Sequence, residues 1–276
     1  MRKRNGLLLS FLLLAATGYA LAADKPDLYT ALRAGTDAKH VAEMIRNGAD
    51  VNQQGPEGRT PLMLAAVRGQ VDVARLLLKH GAKVDTQNAE GVTALLVAAR
   101  DKHPEFVKLM LAHGANPNLT AQRVPLVIVA SSDTSPEILK LLLDKGANPN
   151  ARAPNGITLL MVVAMKGAPA SVKLLLDKGA DVNAKSPGGV TVLMGGVLGG
   201  KTETVSLLLD RGARIDEQGL ENATALIMAA DKGDAAMVKL LLKRGANRNL
   251  KTQNGATALE IAQKKGHQEA VAALAP

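Results

Sequence analysis

The chain has 276 residues, no cysteine, no tryptophan, two tyrosines, two phenylalanines and a formal net charge of +9. Without cysteine there is no disulfide, no thiolate metal site, no cysteine nucleophile and no cysteine to carry an N-terminal lipid. The near absence of aromatic residues argues against a base-stacking surface, while abundant leucine and alanine suit an aliphatic helical core.

Residues 1–22 read as a secretory signal peptide. Arg2-Lys3-Arg4 is a basic start, Leu7 to Ala16 an apolar stretch, and Ala20-Leu21-Ala22 an A-x-A cleavage site with Ala23 as the new N-terminus. The rival is a retained anchor, since Gly6 to Ala23 is uncharged and just long enough to span a bilayer. Ser10, Gly18 and the small cleavage-site residues favour removal. The leader has a bacterial look, and the expected location is the periplasm, with secretion or an inner-membrane anchor as alternatives. Removing Arg2, Lys3 and Arg4 takes the formal charge from +9 to +6. A mildly basic mature chain suits a protein partner with an acidic patch. Its charge is spread along the sequence, so no nucleic acid is expected, and membrane contact follows only if the leader is retained. A monomer is expected.

From Pro26 onward one structural word repeats. Leu-Leu-Leu-x-x-Gly-Ala recurs with its glycine at Gly81, Gly146, Gly179, Gly212 and Gly245, with looser copies at Gly48 and Gly114, in steps of 32 or 33 residues. A period held this long predicts a stacked solenoid. In the copy at residues 58–90, Thr60-Pro61 starts a helix through Leu62, Leu64, Ala65 and Ala66, and Gly69 ends it. Val71, Val73, Ala74, Leu76, Leu77 and Leu78 form a second helix, closed by a left-handed glycine at Gly81. Such a pair cannot bury its apolar faces alone and must stack on neighbours.

The chain therefore divides into a leader (1–22) and one repeat domain (23–276). Residues 26–57 form an N-terminal cap, in which Lys39, His40, Glu43 and Arg46 make the wet face of an end unit. Six units follow at 58–90, 91–122, 123–155, 156–188, 189–221 and 222–254. Residues 255–276 form a polar C-terminal cap. The unit at 123–155 is irregular: Val124-Pro125-Leu126 replaces Thr-Pro-Leu, and the longer turn Ser131 to Pro136 offers Asp133 or Ser135 as helix caps.

The pattern G-x-T-P-L-x-x-A-A-x-x-G followed by V-x-x-L-L-L-x-x-G-A-x-V-D/N resembles the ankyrin repeat over residues 26 to 276. The resemblance implies an all-α solenoid of stacked helix–turn–helix units with β-hairpin-like finger loops. One departure recurs. The family's Thr-Pro-Leu-His lacks its histidine, and Met63, Leu96, Val127, Met161, Met194 and Ile227 stand in that place. Apolar packing is expected to replace the imidazole hydrogen bonds.

Several motifs compete for a chemical role. Gly195 to Thr202 matches the phosphate-loop string G-x-x-x-x-G-K-T, which would suggest a nucleotide-binding enzyme. The repeat register instead puts Gly195 and Gly196 inside a first helix and Gly200 on an inter-helix turn, so these glycines are expected to weaken that helix by roughly 1 kcal/mol each. His40, His80, His103, His113 and His267 show no metal-ligand spacing. His80 and His113 share a slot before the closing glycine with Lys145, Lys178, Arg211 and Arg244, where a cation suits a helix C-terminus. Asp234 is expected to cap a helix, and Glu217 and Glu221 to be solvated in a finger. No catalytic constellation, metal site or cofactor is expected.

The reading is a non-enzymatic protein-binding scaffold. In ankyrin-like solenoids the fingers and the exposed side of the first helices line a concave groove. The resemblance places Val67-Arg68, Arg100-Asp101, Met165-Lys166, Leu198-Gly199, Asp231-Lys232 and Gln263-Lys264 there. Arg68, Arg100, Lys166 and Lys232 are expected to form a basic ladder, with Met165 and Leu198 as an apolar patch between them.

Overall fold

The structure, a computed structural model, describes residues 27–131 and 136–275. The expected leader and the expected caps Asp133 and Ser135 lie outside the described residues. The helices come as helix–turn–helix pairs: α1 (Leu28–Ala34) with α2 (Ala38–Arg46), α3 (Pro61–Val67) with α4 (Val71–Lys79), and α5 (Ala94–Arg100) with α6 (Pro104–Ala112). Then come α7 (Leu126–Ser131) with α8 (Pro136–Asp144), α9 (Leu159–Met165) with α10 (Pro169–Asp177), and α11 (Val192–Gly199) with α12 (Thr202–Asp210). The last are α13 (Ala225–Asp231) with α14 (Ala235–Lys243) and α15 (Ala258–Lys265) with α16 (Gln268–Leu274). Each first helix packs on the first helix of the next pair, and each second helix on the next second helix. Two helical layers therefore enclose one continuous apolar core from Leu28 to Leu274.

Local chemistry sets each pair. The hydroxyls of Thr60, Thr93, Thr158, Thr191, Thr224 and Thr257 accept the backbone N–H of Met63, Leu96, Met161, Met194, Ile227 and Glu260 at 3.1–3.3 Å. The apolar residues in the family's histidine slot are buried, so packing replaces the imidazole there. At the other end Gly81, at φ 87°, donates to Leu78 O and Ala82 donates to Leu77 O, a two-bond closure that needs a left-handed residue.

The pair at α7 and α8 has no such threonine. Thr120–Ala121 (β1) instead pairs antiparallel with Val124–Pro125 (β2), and Leu126 N–H reaches Leu119 O at 2.9 Å. Three other fingers carry single antiparallel bridges, Arg152 with Thr158, Lys185 with Thr191 and Lys251 with Thr257, and two carry a short 3-10 turn, at Pro56–Gly58 and Leu220–Asn222. Asparagines tie finger bases across units. Asn52, Asn118, Asn150 and Asn183 donate to the carbonyls of Gly81, Gly146, Gly179 and Gly212 at 2.9–3.1 Å. Each also accepts the N–H two residues beyond that glycine.

One core position is not satisfied. Val73, Phe106, Ile138, Ser171, Thr204, Met237 and Ala270 occupy the same place in successive second helices, and all are buried. The Thr204 hydroxyl lies fully buried without a hydrogen-bond partner. Thr204→Val keeps the shape and removes the desolvated hydroxyl, so it is expected to stabilise the fold by about 1 kcal/mol. Urea unfolding of the two proteins checks this; an unchanged or lower midpoint would mean that the hydroxyl finds a partner in solution.

Candidate protein-docking groove

The first-helix row and the fingers line a groove. Its walls repeat in register, so each expected site residue can be placed by its distance from the cap threonine. Seven residues after the threonine come Val67, Arg100, Met165, Leu198, Asp231 and Lys264. Eight after it come Arg68, Asp101, Lys166, Gly199, Lys232 and Lys265. The terminal pair is thus Lys264-Lys265, not Gln263-Lys264. The first column faces solvent: Val67, Met165 and Leu198 are 47%, 42% and 40% exposed, large values for apolar side chains.

The second column turns towards the preceding unit. Arg68 donates to the carbonyls of Leu32 and Arg33 at 3.0 and 2.9 Å. Lys232 donates to those of Val197 and Leu198 at 3.3 and 2.9 Å. Both cations lie over the last carbonyls of a first helix, where positive charge is favoured; Leu32 O and Val197 O also accept the N–H of the closing Gly35 and Gly200. Lys265 pairs with Asp231 at 2.7 Å. Arg100 belongs to the other column and forms a two-pronged pair with Asp101 at 2.8 and 3.2 Å, a bond that raises its pKa. Lys166 is the exposed C-cap residue of α9. The four cations therefore occupy two columns. Arg68 and Lys232 also tie units together.

On the opposite layer the cations before the closing glycines do more than neutralise a helix dipole. Lys178 meets Asp144 at 2.7 Å, Arg211 meets Asp177 at 2.8 Å, and Arg244 meets Asp210 at 2.8 Å. Each bond joins one unit to the next. Lys140 and Lys178 hold the Asp144 carboxyl down at about 2. Its contribution to stability is therefore present above the ordinary carboxylate range and is lost as pH falls through about 2. His80 and His113 place Nδ1 3.0 Å from the carbonyl oxygens of Leu76 and Leu109 in their own helices.

His103 and His267 occupy a second slot that the sequence reading missed. Each sits directly before a second helix, over the turn of the preceding unit. Nε2 lies 3.2 Å from Val67 O in the first case and 3.1 Å from Asp231 O in the second. Their only sequence signal is the shared position.

The phosphate-loop string has no strand before it. Gly195 to Thr202 runs from inside α11, through left-handed Gly200 at φ 69°, to the first residue of α12. Asp234 caps α14 by accepting Met237 N–H at 3.0 Å. Glu217 meets its expectation in part. It is partly exposed, but also paired with Lys185 and, at 3.5 Å, with Arg214, which hold its carboxyl below the usual range. Among the described residues no group of His, Asp and Glu is placed to hold a metal ion, and no helix is long and apolar enough to cross a membrane.

Two layers of stacked helix pairs with protruding fingers and a lateral groove define a repeat solenoid of the binding-module kind. The chain belongs to the ankyrin repeat family. The model "Ankyrin repeats (3 copies)" matches residues 28–121 and 126–219, and "Ankyrin repeats (many copies)" matches residues 208–262. The ankyrin repeat domain of Bcl-3, described as a unique member of the IkappaB protein family, is 29% identical. The match covers 79% of this chain and 99% of that one, with a TM-score of 0.69. The human ASB11 ankyrin repeat domain is 24% identical with the same coverages and a TM-score of 0.70, a likeness of fold. No curated protein sequence matches the chain. Ankyrin repeats are in general protein–protein interaction modules.

Proposed function

We propose that this protein is a non-enzymatic scaffold, exported to the periplasm, that binds a protein partner in the groove between its first helices and fingers. The observation that carries the reading is the exposure of Met165 and Leu198, at 42% and 40%, in the same column of adjacent units. Val67 extends that column towards the N-terminal end. Apolar side chains left in water at the centre of a groove, with charged groups beside them, are where binding energy concentrates. Arg100 and Lys166 form the rim. Arg68 and Lys232 support it from beneath by holding helix ends, so reversing their charge disturbs stability as well as binding. Export rests on the leader at residues 1–22.

The test is affinity capture from envelope extract by the mature chain. Leu198→Asp is expected to weaken the captured complex about tenfold at unchanged helical content, chiefly by shortening its lifetime. Lys173→Glu on the opposite layer, where Lys173 pairs with Asp177 of its own helix at 3.0 Å, is expected to leave capture unchanged. Loss of capture in the Lys173 variant but not in the Leu198 variant would move the docking surface to the other layer. A partner found only in cytosolic extract would remove the periplasmic assignment.

A further inference from the structure

One finger near the C-terminal end of the groove has an apolar tip. Leu220 is 65% exposed, the highest value for a large apolar side chain among the described residues. Other fingers present Pro56, Ala89, Pro154, Pro187 and Gln253 at the same place. The tip is fixed from both sides. Glu221 and Asn222 are left-handed, at φ 56° and 57°, in a tight turn whose Gly219 N–H reaches Ala223 O at 2.8 Å. From the next finger Gln253 N–H reaches Glu221 O at 2.8 Å. A tip ordered in this way loses little further freedom when it is bound.

Beside this tip the groove deepens into a cavity of about 530 Å³, and Glu221 and Ala223 of the same finger belong to its lining. Its floor is apolar, with Ile227 buried and Met228 and Ile261 half-buried. Charges of both signs surround it, and most are already matched. Lys265 pairs with Asp231 at 2.7 Å. Lys232 is turned onto the carbonyls of Val197 and Leu198. Glu260 accepts the Thr257 N–H at 2.8 Å and has Lys251 within electrostatic reach, and both hold its carboxyl below the ordinary range. Two lining charges of opposite sign are left over. Among the described residues neither the Glu221 carboxylate nor the Lys264 ammonium has a partner.

We propose that this end of the groove is the contact of a homodimer, in which the Leu220-Glu221 tip of each chain enters the cavity of the other. Tip and cavity match in kind. The leucine covers Ile227, Met228 and Ile261, and the unmatched Glu221 carboxylate meets the unmatched Lys264 ammonium across the contact. Tip and cavity also adjoin on one chain. Seating the first tip therefore brings the second tip to the remaining cavity, and the contact closes as a two-fold, in which the same patch serves both subunits. A foreign segment would need an apolar and an acidic side chain in adjacent positions; a second copy carries that pair already. A dimer, rather than the monomer expected from the sequence, leaves Val67 and Met165 outside the contact, since neither lines this cavity.

Sedimentation equilibrium of the mature chain over a range of concentrations tests this. The expected result is a reversible monomer–dimer equilibrium with a Kd of about 10 µM, as suits a small contact. Leu220→Gln and Leu220→Asp are each expected to raise that Kd at least about tenfold. Leu220 and Glu221 are exposed, so circular dichroism of these variants in dilute solution is expected to match the parent. Glu221→Lys is expected to weaken the dimer about tenfold, and adding Lys264→Glu to restore most of the loss, because the exchanged charges meet again across the two-fold. A chain that stays monomeric up to about 200 µM overturns the inference. So does a dimer that Leu220→Gln and Glu221→Lys leave unchanged, a charge exchange that restores nothing, or assembly that grows past two copies.

Discussion

Gly199→Ala is expected to destabilise the protein by about 3 kcal/mol, although it exchanges the poorest helix former but proline for the best. Gly199 is the last residue of α11 and has ordinary helical geometry, so the loss is steric. A Cβ there would lie 2.5 Å from Ala164 O, 2.9 Å from Met165 O and 3.1 Å from Gly167 N. These are backbone atoms at the end of α9, and they cannot swing aside as a side chain would. The two helices must separate, and the interface between two units loosens along its length. Gly195→Ala is the counterpart. Its Cβ would meet Met165 Cγ at 3.3 Å and Met161 O at 3.4 Å, tight but nearly ordinary contacts. The gain in helix propensity, about 1 kcal/mol, is then expected to leave stability unchanged or higher. Urea unfolding followed by circular dichroism measures both. Values within about 0.5 kcal/mol of each other would reduce the glycine run to flexibility without a packing role. Met165 and Leu198 flank this contact, so the close approach at Gly199 also sets the spacing of the proposed apolar centre.

That contrast shows where sequence reading stops. The periodic glycines and the Thr caps are local. One residue's backbone geometry decides them, and the order of the elements follows. The glycine run was legible as helix rather than phosphate loop, because Gly200 falls on the turn shared with Gly69, Gly167 and Gly233. The reason for Gly199 was not legible. It lies in the distance between α9 and α11, and no single position encodes a distance. The expected basic ladder merged two columns one residue apart. One residue is about 100° around a helix, enough to send Arg100 towards solvent and Arg68 onto the carbonyls of the preceding unit. The tie between Asp144 and Lys178 joins adjacent repeats; each partner taken alone reads as a solvated surface charge. The partner of Glu217 was not legible for the same reason, since Lys185 reaches it from the neighbouring finger.

Phe106→Ala is expected to cost about 4 kcal/mol and to divide the unfolding transition in two. Phe106 is fully buried in α6 and is the bulkiest member of a column otherwise filled by Val73, Ile138, Ser171, Thr204, Met237 and Ala270. Helix α6 packs on α4, α5 and α8. Removing the ring therefore opens a cavity that weakens the contact to both adjacent units, and aromatic deletions in cores cost about 3–5 kcal/mol. In a linear array stability is a sum of unit and interface terms, so a loss concentrated at one interface breaks cooperativity there. The neighbouring unit offers little compensation. Its first helix has no cap threonine, and among the described residues the inter-unit ion pairs begin at Asp144. The helices up to α6 are then expected to unfold at lower urea than those from α8 onward, which the pairs Asp144–Lys178, Asp177–Arg211 and Asp210–Arg244 still join. Hydrogen exchange read by mass spectrometry resolves the two halves. Early loss of protection in peptides from residues 27–112, with peptides from 159–275 still protected, is the expected result. Phe106→Leu, which leaves a smaller void, is expected to keep one transition at a lower midpoint. A single transition in the alanine variant, with a loss of about 1 kcal/mol or less, would show that the stack closes over the missing ring and that Phe106 is not the joint between its two halves.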